Sequence, residues 1–245
     1  QREDYEGIIA AIALVSLVGI GLSLSIPLLS LEMERMGASG AQIGLNTAVA
    51  GLASIVTIPF VPRLAARVGI GRLIAAAIIV TALSFLGFQL FFSYAAWFPI
   101  RFVFSAALGT LFVLSEYWIA AKAPPERRGM IMGIYATSLS IGFAAGPALL
   151  ALTGTSGWLP YLASATVYGL ALVPLMLARH RLPVLDEAPK HSITRYLFAV
   201  PLATGAGFGA GVASGQARPY LRRHDETPRD AGRKSARSAR AAHQD

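Results

Sequence analysis

The 245-residue chain contains no cysteine, which excludes disulfides and thiolate chemistry. It is also poor in charge. Asp, Glu, Lys and Arg make up 14% of it, where soluble domains carry about 25%. Such a chain cannot cover a water-facing surface. Histidine is scarce too: His180, His191, His224 and His243 are the four copies, and all lie outside the long apolar runs. Those runs therefore offer neither an intramembrane zinc site nor a Ser-His pair, so an intramembrane enzyme lacks a reactive constellation, and no metal or cofactor is expected. No secretory leader is visible: "REDYE" ahead of the first run is acidic, and that run exceeds the ~7–15 apolar residues of a leader. Because Gln1 stands where a start methionine is usual, the natural N-terminus is expected further upstream.

What the chain has instead is apolar length. Hydrophobic residues make up 55% of it and its mean hydropathy is +0.58. A helix needs ~20 apolar residues to cross a bilayer, and blocks of that order occupy 7–31, 41–61, 73–93, 97–121, 129–153 and 157–178. The expectation is an all-α integral membrane protein. Basic residues set its orientation, since they gather in cytoplasmic loops. Counting alternate sides, one takes Arg2, Arg63, Arg67, Arg72, Lys122, Arg127, Arg128, Arg179, Arg181, Lys190 and Arg195, and the other takes Arg35 alone. The N-terminus and the loop after the sixth helix are thus expected inside.

Residues 1–178 read as a six-helix bundle and 179–195 as a polar cytoplasmic linker with two prolines. A weaker seventh apolar segment, 196–216, carries five glycines, which argue against a stable helix. Residues 217–245 then add eight basic residues. Were the seventh segment to span, all eight would lie outside, against the rule that the other loops obey. The tail reads either as a disordered basic arm for acidic lipid or nucleic acid, or as an out-of-frame product of a GC-rich gene. The topology conflict favours the second, so no nucleic acid is expected as a partner.

Ionisable groups inside a membrane cost at least ~2.5–3.5 kcal/mol on insertion scales, so each needs a partner or a purpose. Glu32 and Glu34 stand at the outer end of the first helix, and Arg101 and Glu116 lie within the fourth. Arg101 either snorkels to the outer interface beside Trp97 or faces a cavity. Glu116 either carries a proton or cation, or pairs with Arg127 or Arg128. Fifteen residues separate Arg101 from Glu116, about 22 Å along a helix. They cannot pair, though both could face one cavity. Gly142, Gly146 and Pro147 interrupt the fifth block in "SLSIGFAAGPALLALTG" (138–154). In lipid, close backbone contact through small residues substitutes for the hydrophobic effect. With Ser138, the two glycines form a stripe on which another helix packs or slides, and Gly129 and Gly133 make a similar step.

Taken together, the pattern resembles the N-terminal half of a major facilitator superfamily transporter, over about residues 7–200. "GFAAGP" (142–147) is similar to that family's fifth-helix signature, associated with antiporters, although Leu150 and Ala151 stand where paired glycines often follow. Arg101 matches the fourth-helix arginine tied to proton coupling, with Ser105 in place of the usual glycine. "PRLAARVGIGRL" (62–73) occupies the gating loop between helices two and three: Arg67 and Gly69 match, Arg72 fits a position or two late, and Pro62 and Ala66 replace the glycine and the latching aspartate. The resemblance implies two inverted three-helix repeats, a cavity lined by helices one and four, and helices two and five meeting a second half. Helices three and six would face lipid. Candidate proton-coupling or substrate-pathway groups are Arg101, Glu116, Glu32, Asn46, Ser25 and Ser105, with Ser16, Ser23 and Thr110 as further lining groups.

The function this implies is secondary transport, a proton-coupled export of small amphipathic molecules across a bacterial cytoplasmic (inner) membrane. The chain would be a truncated half needing a missing C-terminal half or a homodimer partner. The alternative is a non-transporting product or membrane assembly partner. Reading the gene through codon 200 and onward in all frames separates them. Six further apolar segments in another frame are expected; an intact stop with none beyond it leaves transport only through oligomerisation.

Overall fold

The computed structural model describes residues 2–183, and among these every regular element is helical. Six helical stretches are long and apolar enough to cross a bilayer: Tyr5–Arg35, Gly40–Val68, Ile70–Leu90, Tyr94–Lys122, Pro125–Thr153 and Leu159–Leu177. They are called the first to sixth spans below, and their ends inner or outer on the orientation expected from the basic residues. The weaker seventh segment and the basic tail lie outside the described residues.

Most of the spans outrun the apolar blocks that announce them, because helix ends are set by local chemistry more than by hydropathy. The first helix continues through Glu32 and Arg35. The second starts on a capping box, in which the Gln42 amide donates to Ser39 Oγ at 3.4 Å and the Ser39 amide donates to Gln42 Oε1 at 2.7 Å. It then passes through a 3-10 turn, Ile58–Phe60, into Val61–Val68. The expected loop of 62–73 is therefore mostly helix. Pro62 sits in the first turn of its last piece, where a proline costs no hydrogen bond. The chain turns at Gly69 alone, whose φ of +89° favours glycine.

The packing pattern has two layers. The first span packs along the fifth, the fourth and the sixth; the fourth packs also along the second and the third; the third meets the sixth. The front row therefore reads second, fourth, first, fifth, with the third behind the fourth and the sixth behind the first. Exchanging the first three spans for the last three reproduces this list: first–fifth becomes fourth–second, and first–sixth becomes fourth–third. Because consecutive spans alternate in direction, the repeat is inverted. Burial follows the same plan. The apolar centres of the first and fourth spans are 61% and 50% buried, whereas those of the second and fifth are 11% and 22% buried.

The first span meets the fifth through a close approach of the two backbones. A Cβ on Gly146 would lie 2.7 Å from the Leu24 amide nitrogen and 2.8 Å from the Ile20 carbonyl oxygen; one on Gly142 would lie 2.8 Å from the Ser16 carbonyl. These are backbone atoms and cannot step aside, so only glycine permits the approach. Pro147, one residue on, has no N–H to give the carbonyl four residues earlier, which belongs to Phe143. The Ser23 hydroxyl of the first span donates to that carbonyl. The helix runs unbroken through the proline to Thr153 because its neighbour completes its hydrogen bonding. The second step of the stripe has no such partner: Gly129 and Gly133 have nothing within 4 Å of a would-be Cβ.

Behind this seam the third, fourth and sixth spans meet through aromatic rings. Phe85 lies 5.8 Å from Phe104, 5.5 Å from Tyr161 and 6.0 Å from Tyr168, within the range in which tilted ring pairs attract. Trp97 packs on Phe88 at 5.0 Å and donates its indole N–H to the carbonyls of Phe88 and Phe91 at 3.0 and 3.1 Å. It thereby satisfies the outer end of the third span, a role quite unlike an interfacial anchor.

The Ser23 contact generates a testable cycle. Ser23→Ala should destabilise the bundle by about 1 kcal/mol, since it strands the Phe143 carbonyl. In a Pro147→Ala background the restored amide takes over, and the same substitution should cost only a few tenths. Unfolding of the four variants in detergent measures both. An equal cost in both backgrounds would disprove the assignment.

Candidate functional site

The acidic side chains Glu32 and Glu116 and the arginine Arg101 singled out by sequence fall at three places rather than one. The first lies deep between spans. Arg101, seven residues into the fourth span, is 8% exposed, and its Nε has no hydrogen-bond partner among the described residues. It does not snorkel, because the back layer closes over it. Tyr168 of the sixth span and Ser25 of the first are fully buried. Tyr168 is the electrostatic neighbour of Arg101 and lies beside Ser25. The Ser25 hydroxyl donates to the Leu22 carbonyl at 2.7 Å. The Tyr168 ring rests on Gly21, where a Cβ would come within 2.6 Å of it. This is a buried cation ringed by aromatic and hydroxyl groups, with no carboxylate paired to it among the described residues.

The second place is the outer end. Buried Glu32 pairs with Arg35 at 2.5 Å. Arg35 also donates to the Thr155 carbonyl and, at 2.7 Å, to its hydroxyl. Thr155 follows Gly154, whose φ is +76°, in the turn between the fifth and sixth spans. Glu32 is thus engaged in a tie between the end of the first span and that turn. Tyr161 lies fully buried near both charges.

The third place is the front. Glu116 is exposed, and the Tyr135 hydroxyl of the fifth span donates to its Oε1 at 2.8 Å. Arg127 and Arg128 do not take it as partner. Arg127 donates to the Tyr5 hydroxyl at 3.4 Å and Arg128 to the Ala120 carbonyl at 3.3 Å. Arg101 and Glu116, roughly 60° apart around the helix axis, thus differ in burial, the first buried and the second exposed.

Asn46 and Ser105 are both buried. Asn46 and Ala53 are the buried residues of Gly40–Thr57, and their spacing of seven puts both on the face that packs along the fourth span. At the inner end Arg67 and Arg72 are exposed, Arg67 on the helical end of the second span and Arg72 on the first turn of the third, with Gly69 between. Ala66, where the resembled family has its aspartate, offers no acid to either. Instead the chain beyond the sixth span closes this end. Leu182 Cδ1 would lie 2.5 Å from a Cβ on Gly71, and Arg181 pairs with Glu6 at 2.8 Å. Gly142, Gly146 and Pro147 form the packing contact already described.

Reading the sequence alone overlooked Tyr135, Tyr161 and Tyr168. Two signals were available. Tyr161, Ser164 and Tyr168 recur at i, i+3 and i+7, one face of a helix, in a span assigned to lipid. Glu116 lies six residues before the end of its span and Tyr135 seven after the start of its helix, so both sit about 10 Å from the inner end.

This arrangement can be compared with known proteins. The sequence profile described as Major Facilitator Superfamily matches residues 11–222, most of the chain. The protein of Bacillus subtilis (strain 168) named uncharacterized MFS-type transporter YfkF is 28% identical over 156 residues, 64% of this chain. The match spans 40% of that relative's length. The chain belongs to the major facilitator superfamily.

A buried arginine with no carboxylate paired to it among the described residues costs stability, so its replacement separates structure from function. Arg101→Leu should leave the thermal stability of the purified chain unchanged or raise it by on the order of 1 kcal/mol. A loss of several degrees in Tm would instead mean that Arg101 holds the spans together.

Proposed function

We propose that this chain is one six-helix half of a secondary transporter that works by alternating access, exporting small amphipathic molecules in exchange for protons. The single observation that carries the reading is the inverted pair of three-span units with an open front. Spans so arranged bury the first and fourth as a spine and leave the second and fifth with faces uncovered. A rocking motion against a second half needs such a face. The partner is then a second six-span unit or another copy of this chain, in the bacterial cytoplasmic membrane, with the N-terminus and the loop after the sixth span inside.

The polar groups divide the work. A guanidinium stays protonated at any working pH, so Arg101 carries no proton; it supplies a fixed positive field deep in the bundle. The carrier must be a carboxylate. Glu32 is bound to Arg35, which leaves Glu116, about 10 Å from the inner end of its span, as the carboxylate on the open face. Export rests on the resemblance of "GFAAGP" to an antiporter signature. Arg67, Gly69 and Arg72 are positioned to meet the inner rim of the second half. An assembly partner without transport of its own is the second reading, favoured by the same open front if nothing but another protein covers it.

Flux decides between them. Inverted vesicles carrying the chain together with its covering half should accumulate substrate when a proton gradient is imposed and lose at least 80% of that uptake when it is collapsed. Gradient-independent or absent flux would overturn the proposal, and crosslinking to an unrelated membrane protein would favour the second reading.

A further inference from the structure

Arg101 carries a positive charge into the middle of four spans and meets no carboxylate there among the described residues. The first and third spans each pack on both the fourth and the sixth, so the fourth and the sixth face each other across a shared interior. Phe104 and Tyr168 meet in it with their rings 6.0 Å apart, and Tyr168 is the electrostatic neighbour of Arg101. The acids of these four spans lie elsewhere. Glu6 pairs with Arg181 at the inner end and Glu32 with Arg35 at the outer end. Glu34 is exposed, and Glu116 stands fifteen residues along the same helix. The third and sixth spans contain no Asp or Glu.

The groups around the guanidinium are donors left unused. Arg101 Nε, the Tyr168 hydroxyl and the Ser164 hydroxyl are all buried without a hydrogen-bond partner among the described residues. Counted from the outer ends of their spans, Ser164, Arg101 and Tyr168 come five, seven and nine residues in, about 7, 10 and 14 Å along the helices. The arginine thus lies at a level between the two hydroxyls, which sit one turn apart on one face of the sixth span. The hydroxyls of the other two spans are committed: Ser25 donates to the Leu22 carbonyl and Thr81, one turn before Phe85, to the Ala77 carbonyl, each at 2.7 Å. Water would satisfy the three unused donors but would bring no charge. A buried ion needs a counter-charge as well as hydrogen bonds.

We infer that this interior is the binding site of a small inorganic anion, a halide, held by the Arg101 guanidinium with the Tyr168 and Ser164 hydroxyls as further donors. The walls set the size of the ligand. Tyr168 and Ser164 are fully buried and Arg101 nearly so, and the Tyr168 ring is wedged among Gly21, Phe85 and Phe104. An anion with an organic body has no room. So enclosed, the halide is a resident counter-ion of the bundle rather than cargo, and the inference does not rest on the transporter reading.

The test is a bromide titration of the purified full chain, with bromide replacing gluconate at constant ionic strength and thermal unfolding as the readout. The Tm should rise saturably, by about 3 °C at full replacement. Arg101→Leu should abolish that rise while matching or exceeding the parent's Tm in gluconate. Arg101→Lys keeps the charge and should recover part of the response. Tyr168→Phe keeps the ring and should raise the half-saturating bromide concentration roughly two- to fivefold. Arg63→Leu removes an exposed arginine and should leave the titration unchanged. Should Arg101→Leu fail to fold, anomalous diffraction from bromide-grown crystals of the parent decides, with a peak expected within hydrogen-bonding reach of Arg101 Nε. No saturable rise means that water alone fills the interior, and a rise kept in Arg101→Leu, or a peak elsewhere only, places the ion at another site. Each of these overturns the inference.

Discussion

A proline in the fifth span takes a backbone donor away, and a serine on the first span replaces it. That exchange, Ser23 to the Phe143 carbonyl beside Gly146 and Pro147, is the constraint on which the rest of the bundle turns. It requires the two backbones to approach closely enough for a short side chain to reach, and the glycines at 142 and 146 are what make room. Once the first and fifth spans are locked in this way, the first span presents its remaining faces to the fourth and sixth. The front and back layers follow. In lipid no general hydrophobic force would have chosen that partner; backbone complementarity does.

The layering then sorts the charges. Arg101 enters on the side of the fourth span that the back layer covers, among Tyr168 and fully buried rings. Glu116, fifteen residues on, comes out on the front. Glu32 is taken out of play by Arg35 and the turn at Thr155. Arg101 is thus left buried with no carboxylate paired to it among the described residues, and Glu116 exposed with the Tyr135 hydroxyl donating to it. The superfamily's gating acid is replaced by Ala66, and Leu182 on Gly71 together with Arg181 on Glu6 closes the inner end. The inner rim of this half is thereby held by the start of its own linker.

Much of this architecture was legible in the residues themselves. Apolar blocks separated by basic loops announce six spans, since a bilayer demands ~20 apolar residues per crossing and no water-soluble alternative tolerates so little charge. The stripe of Gly142 and Gly146 announces a close helix contact. The helix through 61–68 was less legible, because prolines and arginines read as a loop until Gly69 is seen to bear the whole turn. Tyr135 was legible only in its depth, which matches that of Glu116, as its meaning depends on a carboxylate nineteen residues away on another span.

The sequence by itself determined that the chain lives in a membrane, that the described residues hold six segments long and apolar enough to cross it, and that one face of the fifth span must accept another backbone. These are properties of composition and local spacing, which lipid reads directly. Tertiary structure alone decided which span fills that face, that Ser23 repairs the break at Pro147, and that Arg101 is buried while Glu116 on the same helix is exposed. Rotation about a helix axis is set by neighbours, and a hydroxyl finds its acceptor only when two distant segments have been brought within hydrogen-bonding reach.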